Sequence, residues 1–412
     1  MKILQVNKFY YPRGGADKYF LWLSDALKKA GHEVAVFSMH HPKNQATPWS
    51  SYFVSRVSFN ERGWQNKLKI PGRVLYSFSV KRRFTELIKD FRPDIIHLHN
   101  IYHHLSPSIL SVAGRYKIPV IMHLHDYKLI SPDYNLLDKR AADPTKIRLK
   151  KYYRYLFGRA VKNSRLATAL AVLEMYLHHS ILKIYRRHIN LFIAPSRFMK
   201  ETVVKAGWPA EKIKVVYNSY SPDLVGPKTT LDSVVTEKSA THDYFLYFGR
   251  LNQEKGIETL LQAAALNGLT LKIAGDGPEK AALEKSAKQL KIKAEFLGFK
   301  NAAELLPLIK NAQAVVIPSI WPENMPLSLL EALSLGQPVI AARIGGLPEI
   351  IKNGKNGFLF TPGDPHDLAR QIKNLTGADR DELSRAAVKT AADFTPEKNL
   401  TAIINIYKQF CK

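Results

Sequence analysis

At 412 residues, with 46% hydrophobic and 23% charged residues, the chain is too long for one ordinary core and too apolar for disorder, so two globular domains of roughly 200 residues are expected. The only cysteine, Cys411, excludes disulfides within the chain and cysteine-based metal sites, and favours a reducing, cytoplasmic setting. The net charge of +26 is lopsided: residues 1–222 hold 38 Lys and Arg against 14 Asp and Glu, whereas 223–412 hold 23 against 21, so one half is expected to meet an anionic surface or substrate.

The start, MKILQVNKFYYPRGG, has no long apolar core or small-residue cleavage site and reads as a first strand, not a signal peptide. KILQVN (2–7) is a buried strand, Gly14-Gly15 a turn, and Asp17 to Ala30 a helix with Tyr19, Phe20, Leu23 and Leu27 at helical spacing. Strands follow at 32–38, 94–99, 119–125, 191–196 and 213–218, alternating with helical patterns as in a parallel sheet wrapped by helices. The most apolar stretch, 166–185, carries Glu174, His178, His179 and Lys183, whereas a spanning helix needs about 20 apolar residues, so it is not expected to cross a membrane.

Lys139 to Arg165 is the densest basic stretch, with Tyr152, Tyr153, Tyr155 and Phe157 interleaved. It reads as a solvated helix face, or as a face for anionic lipid or a phosphate-bearing acceptor, with Arg148, Lys150, Lys151 and Arg154 as its candidate contacts. A nucleic-acid patch is disfavoured because no recognised nucleic-acid module accompanies it.

A second alternating series has strands at 244–250, 269–277, 294–299, 314–319 and 337–343, with helices from about Gly256, Pro278, Ala302, Pro326 and Pro348. The expected organisation is a first domain over 1–222, a linker over 223–242, a second domain over 243–395, and a C-terminal helix over 396–412 packing back on the first domain. Two doubly wound α/β units in tandem bind ligands outside the carboxyl ends of their strands, which predicts a cleft walled by strand-to-helix loops.

Arg250 and Lys255 fall between a strand and a helix in GRLNQEKG (249–256). A guanidinium, an ammonium and a helix N-terminus together can hold a diphosphate without a metal; the plainer alternative is two surface cations beside a turn. Farther on, Glu323 lies in a Pro-rich loop, Pro326 suits a first helical turn, and Glu331 lies within that helix. Such carboxylates can grip two ends of one ligand, Glu331 on a ribose diol and Glu323 by a sugar ring, near the amides of Asn324 and Met325. The alternative for Glu331, a solvated helix residue, fits poorly with Leu327, Leu330 and Leu335 around it.

G-R-L-x-x-E-K-G (249–256), E-x7-E (323–331), G-x-P-V-I-A (336–341) and G-G-x-P-E (345–349), in this order, resemble the retaining glycosyltransferases of family 4 with the GT-B fold. The likeness extends through YYPRGGADKY (10–19), HLHNIYHHLSPS (97–108), HLHDY (123–127), IAPSRF (193–198), YNSYSPD (217–223), AGDGP (274–278) and FLGF (296–299). The resemblance implies a fold of two facing Rossmann-like domains. It implies that Arg250 and Lys255 bind the donor diphosphate, Glu331 the ribose, and Glu323 the region of the donor sugar and its developing positive charge. Asn324, Met325, Pro326 and Leu327 complete the donor loop, which departs from the family's more frequent Gly or Phe and leaves donor preference open. Gly15 matches the first loop near donor and acceptor, His125 the histidine beside the donor sugar, and Lys300 a position where the base is met.

His97, His99, His103, His104, His123 and His125 crowd the ends of two strands. Residues i and i+2 on a strand share a face, so these pairs suit a polar cleft wall as well as a metal, and no carboxylate or cysteine cluster has matching spacing. No metal and no cofactor are expected. Asp379-Arg380-Asp381 spells D-x-D far from any site loop and reads as coincidence. The expected partners are a nucleotide-diphosphate sugar, a glycan or lipid-linked acceptor and an anionic membrane surface met peripherally on the inner face of the plasma membrane, without nucleic acid. Two competing readings, a nucleotide-sugar epimerase or glycan phosphorylase of the same fold, and a non-enzymatic basic binding protein, fit the second-domain motifs less well.

Overall fold

The computed structural model describes residues 1–57, 64–136, 151–158, 160–161, 164–225 and 243–411. Two compact units emerge, one made of Met1–Val216 with Leu400–Lys412, the other of Tyr217–Asn399. Most of the expected linker, 226–242, lies outside the described residues.

The first unit holds six parallel strands, β1 (Lys2–Val6), β2 (Glu33–Phe37), β3 (Ile95–Leu98), β4 (Val120–His123), β5 (Leu191–Ala194) and β6 (Ile213–Val215), in the order β2-β1-β3-β4-β5-β6. The middle strands are buried throughout, which is why they read as continuous apolar runs instead of alternating ones. Ile3, Ile95, Ile121 and Ile193 form one core with Tyr19, Leu23 and Leu27 of the helix Gly15–Lys29 and with Ile403, Ile406 and Tyr407 of the helix Pro396–Lys408. Leu23 is fully buried, and cutting it to Ala would cost about 2–5 kcal/mol.

In the second unit, β7 (Phe245–Phe248), β8 (Thr270–Ala274), β9 (Lys293–Gly298), β10 (Ala314–Ile317), β11 (Val339–Ala342) and β12 (Gly357–Phe360) run in the order β12-β11-β10-β7-β8-β9. Read from β9, this is the order 3-2-1-4-5-6 of a nucleotide-binding doubly wound sheet. The winding direction reverses between β7 and β10, and in the first unit between β1 and β3. Chain crossovers leave those two points in opposite directions, so the loops there part and leave room for a ligand. β12 lies beyond the strands expected from sequence.

The apolar stretch 166–185 is broken into the helix Arg165–Tyr176, a π-helical turn Leu177–Ile181 and the short helix Ile184–His188. No helix among the described residues is long and apolar enough to cross a membrane. Glu174, the acid within that stretch, is a buried hub. Its Oε2 accepts from Lys128 Nζ and His103 Nε2, both at 2.7 Å. Burial alone would raise its carboxyl, but His103 and Lys128 outweigh that and hold it well below the usual carboxylate range.

Candidate active site

At the reversal point of the second sheet, the loop after β7 carries Arg250 and Lys255, and the loop after β10 carries Ser319, Trp321 and Glu323. The two loops are locked together. Lys255 Nζ lies 2.6 Å from Glu323 Oε1, the same oxygen accepts from Ser319 Oγ at 2.6 Å, and Ile320 N donates to Glu254 O at 3.0 Å. Lys255 also sits over the Trp321 ring, 5.2 Å from its centroid. Its side chain is 16% exposed and that of Glu323 only 5%, so the pair is largely shielded from water but Lys255 is still reachable from solvent. Arg250 is exposed where β7 ends, its carbonyl accepting from Tyr247 Oη at 2.8 Å.

The Glu323 loop is also gripped from the side. Gly346 N donates to Glu323 O at 2.7 Å, and Asn218 Nδ2 donates to Met325 O at 3.1 Å. Asn324 and Met325 are buried, Pro326 caps the helix Leu327–Ser334, and Leu327 opens it. Glu331 is buried on that helix, so it is not a solvated surface residue. Lys300, after the edge strand β9, pairs with Glu304 at 3.2 Å one helical turn on.

In the first unit, Gly15 opens the helix Gly15–Lys29 and is exposed. Asn7, just after β1, donates to Asp17 Oδ1 at 2.9 Å and accepts from Asn100 N at 3.2 Å, tying the loops after β1 and β3 to that helix. The histidines depart from expectation. His97, His99 and His123 are buried within the layers and form no cleft wall; His125, just past β4, keeps partial exposure. The four rings stack, with centroids 4.5 Å apart for His97–His99 and 4.6 Å for His123–His125. Burial, then Lys8, pushes His125 down to about 3, and burial, then His125, does the same to His97. Ring nitrogens of His97, His99 and His123 come within 4.8 Å of one another. Both nitrogens of His99 and Nδ1 of His97 are engaged in hydrogen bonds.

Asp379 is the N-cap of the helix Arg380–Ala391, accepting from Asp381 N and Glu382 N, so D-x-D there is a helix start. Of the aromatics in the basic stretch, Tyr152 and Tyr155 point inward onto Val172 and Met175, and only Tyr153 and Phe157 face outward. Lys151 and Arg154 are exposed; Arg148 and Lys150 lie outside the described residues.

Residues 14–219 match the model of the glycosyl transferase 4-like domain, and residues 229–394 that of the glycosyl transferases group 1. An uncharacterized glycosyltransferase of Methanocaldococcus jannaschii is 34% identical over 383 residues, covering 90% of this chain and 87% of the relative. The chain belongs to the family 4-like, group 1 glycosyltransferases. Glycogen synthase of Mycobacterium tuberculosis is 24% identical to this glycosyltransferase over 432 residues, covering 99% of the chain and 94% of the relative. Among solved structures, Anabaena HepE in complex with UDP-glucose matches with a TM-score of 0.65 at 21% identity, covering 99% of this chain and 100% of that one. The glycosyltransferase thus has the two-domain GT-B fold. Sequence reasoning missed Ser319 and Trp321 of the Lys255–Glu323 cluster and the buried Gln5 and Tyr407 beside its histidines. Ser319, four residues before Glu323 at a strand end, carried a signal; Tyr407, remote in sequence, carried none.

Proposed function

We propose that this glycosyltransferase moves a sugar from a nucleotide-diphosphate donor, with retention of anomeric configuration, onto a glycan or lipid-linked anionic acceptor of cell-surface polysaccharide or glycoconjugate synthesis. The observation that carries the donor reading is the Lys255–Glu323 pair, held at the reversal point of a sheet with nucleotide-binding strand order. An arriving diphosphate offers Lys255 a better-charged partner than one carboxylate, and the exposed Arg250 adds a fork of donors. Lys255 then turns from Glu323 to the phosphates, which frees the carboxylate to stand by the positive charge that grows on the sugar. Glu331 is read as the ribose acceptor, and His125, neutral through burial, as a hydrogen-bonding group for a sugar hydroxyl. Lys300 is a weaker candidate for the base, being paired with Glu304.

In the reaction the bond from the anomeric carbon to the β-phosphate oxygen breaks, with its electron pair going to that oxygen. The acceptor hydroxyl oxygen bonds to the same face of the carbon, and its proton passes to the departing phosphate. The products are a glycoside and a nucleoside diphosphate. The two cations and the helix start at Ile257 supply the stabilisation a divalent metal would otherwise give, so the reaction is proposed to need no metal or cofactor.

The acceptor reading rests on the charge imbalance between the two halves. The exposed Phe157, Leu166 and Leu173 beside Lys151, Arg154 and Arg165 support a peripheral position on an anionic, cytoplasmic membrane face. The test is nucleoside diphosphate release from a panel of nucleotide sugars and acceptors in excess chelator, with the product anomer read by NMR. An inverted product, or release only after manganese is added, would refute this mechanism.

A further inference from the structure

The chain enters the second unit at Tyr217 and leaves it at Asn399, and these two ends are tied together, Asn399 Nδ2 donating to Tyr217 O at 2.6 Å. From there two neighbouring side chains reach the loop that carries Glu323. Asn218 Nδ2 donates to Met325 O at 3.1 Å, and Tyr217 Oη donates to Glu349 Oε2 at 3.0 Å. Glu349 lies on the short helix Leu347–Ile350, just past the Gly346 amide that holds Glu323 O.

Met325 lies between the two carboxylates of this site, Glu323 in the loop and Glu331 on the helix Leu327–Ser334. Pro326, which follows it, is the N-cap of that helix, has no N–H and makes no side-chain cap bond. The approach to the helix is therefore not fixed by a local cap, and the bond from Asn218, 107 residues away, holds it instead. The direction of that bond is set, because a carbonyl only accepts. It leaves the buried Asn218 Oδ1 with no hydrogen-bond partner among the described residues. An unpaired buried oxygen costs at least as much as one neutral hydrogen bond contributes, so stability does not account for an asparagine here. What its side chain supplies is one donor aimed at one carbonyl of the loop.

We infer that Asn218 is a positioning residue that holds the Glu323 loop in place while the sugar is transferred. Before donor arrives, Glu323 is also held by Lys255 and Ser319. When Lys255 turns to the phosphates its hold is lost, and the loop rests on the Ser319 hydroxyl, the Gly346 amide and the Asn218 side chain. Arg250 and Lys255 lie on another loop, so slack around Met325 is felt chiefly where Glu323 meets charge that exists only in the transition state. The catalytic half rests on the reading of Glu323 as the group beside the sugar; the hold on Met325 does not.

The test uses the full chain. Asn218→Leu keeps a similar shape without the donor. Asn267→Leu is the control, removing a side-chain bond of 2.8 Å to Ala369 O just before β8 begins. Amide hydrogen exchange, read by mass spectrometry over 320–334, should quicken at least about tenfold in Asn218→Leu while the rest of the second unit keeps its rates. The control should leave 320–334 unchanged. With a nucleotide sugar that wild type turns over, Asn218→Leu should lower kcat at least about tenfold at a donor KM within about threefold, part of the roughly 100-fold that a 1 Å misplacement costs. The control should keep both constants. Unchanged exchange over 320–334 in Asn218→Leu would overturn the inference, as would the same quickening in the control. If Asn218→Leu does not fold, Asn218→Ala, which empties the space instead of filling it, is held to the same outcomes. A quickened loop with kcat unchanged would overturn the positioning role. If wild type releases nucleoside diphosphate from no nucleotide sugar, the donor reading falls and the exchange rates alone decide the hold.

Discussion

Replacing Gly345 with Ala separates two costs that glycine substitutions usually confound. Gly345 has φ +64°, and an added Cβ would lie 2.1 Å from Glu323 O, 2.6 Å from Glu323 N and 2.8 Å from Pro322 C, all backbone atoms. Clearing these contacts means moving the Glu323 loop by about 1 Å against the Gly346 N to Glu323 O hydrogen bond of 2.7 Å. Left-handed strain costs about 1–2 kcal/mol and a weakened hydrogen bond about 1 more. At 2–4 °C per kcal/mol, Gly345→Ala should lower the melting temperature of the second unit by about 4–12 °C. Gly354→Ala is the control: its φ is +75°, but nothing lies within 4 Å of the new Cβ. It bears the strain alone, about 2–8 °C, and should leave kcat/KM within about twofold. Gly345→Ala should also lose about 100-fold in kcat/KM, the usual effect of a 1 Å misplacement in a reacting site. Scanning fluorimetry and initial rates on both variants check this. Equal rates for the two would refute the placement of Glu323 in the donor site.

Arg250→Ala and Lys255→Ala should each cost about 3 kcal/mol of transition-state stabilisation, and a double variant within tenfold of wild type would remove the diphosphate from this loop. Acid should destabilise the first unit through its buried neutral histidines. The folded pKa of His97 is depressed from 6.5 to about 3, so the unfolded chain binds the extra proton and stability falls as pH drops through that window. The loss is about 1.4 kcal/mol per pH unit, and denaturant titrations of His97→Phe should show a slope smaller by that amount. The protein should bind anionic but not zwitterionic vesicles, and less as salt rises. Lys151→Glu with Arg154→Glu should weaken that by at least about 30-fold, at about 1 kcal/mol per charge; equal partitioning to both vesicle types would mark a solvated face.

Parallel strands buried on both faces announce themselves as apolar runs, so the strands carrying the site were legible in the sequence. β12 escaped because GFLF is short and sits between turn-forming KNG and TPG. The Arg250, Lys255, Glu323 and Glu331 positions were legible as contiguous motifs, but the 2.6 Å pairing of Lys255 with Glu323 was not, because folding alone brings together residues 68 positions apart. The histidines show the limit more sharply. Spacing put them on shared strand faces, yet whether such a face meets solvent or a helix depends on what covers it, and here Tyr19 and Tyr407 do. In the same way, alternating Lys, Arg and Tyr could not reveal that Tyr152 and Tyr155 turn inward while Tyr153 turns out.

The first unit is discontinuous along the chain, completed by Leu400–Lys412 after all of the second unit has intervened. On the ribosome, Ile3, Leu23 and Ile95 therefore emerge long before Ile403, Ile406 and Tyr407, against which they pack. At about 5–20 residues per second, the intervening 217–399 takes on the order of ten to forty seconds to synthesise. During that interval the nascent first unit shows an apolar sheet face that its own last helix will cover, while the second unit, one uninterrupted segment, is free to fold first. The order of folding is then expected to reverse the order of synthesis.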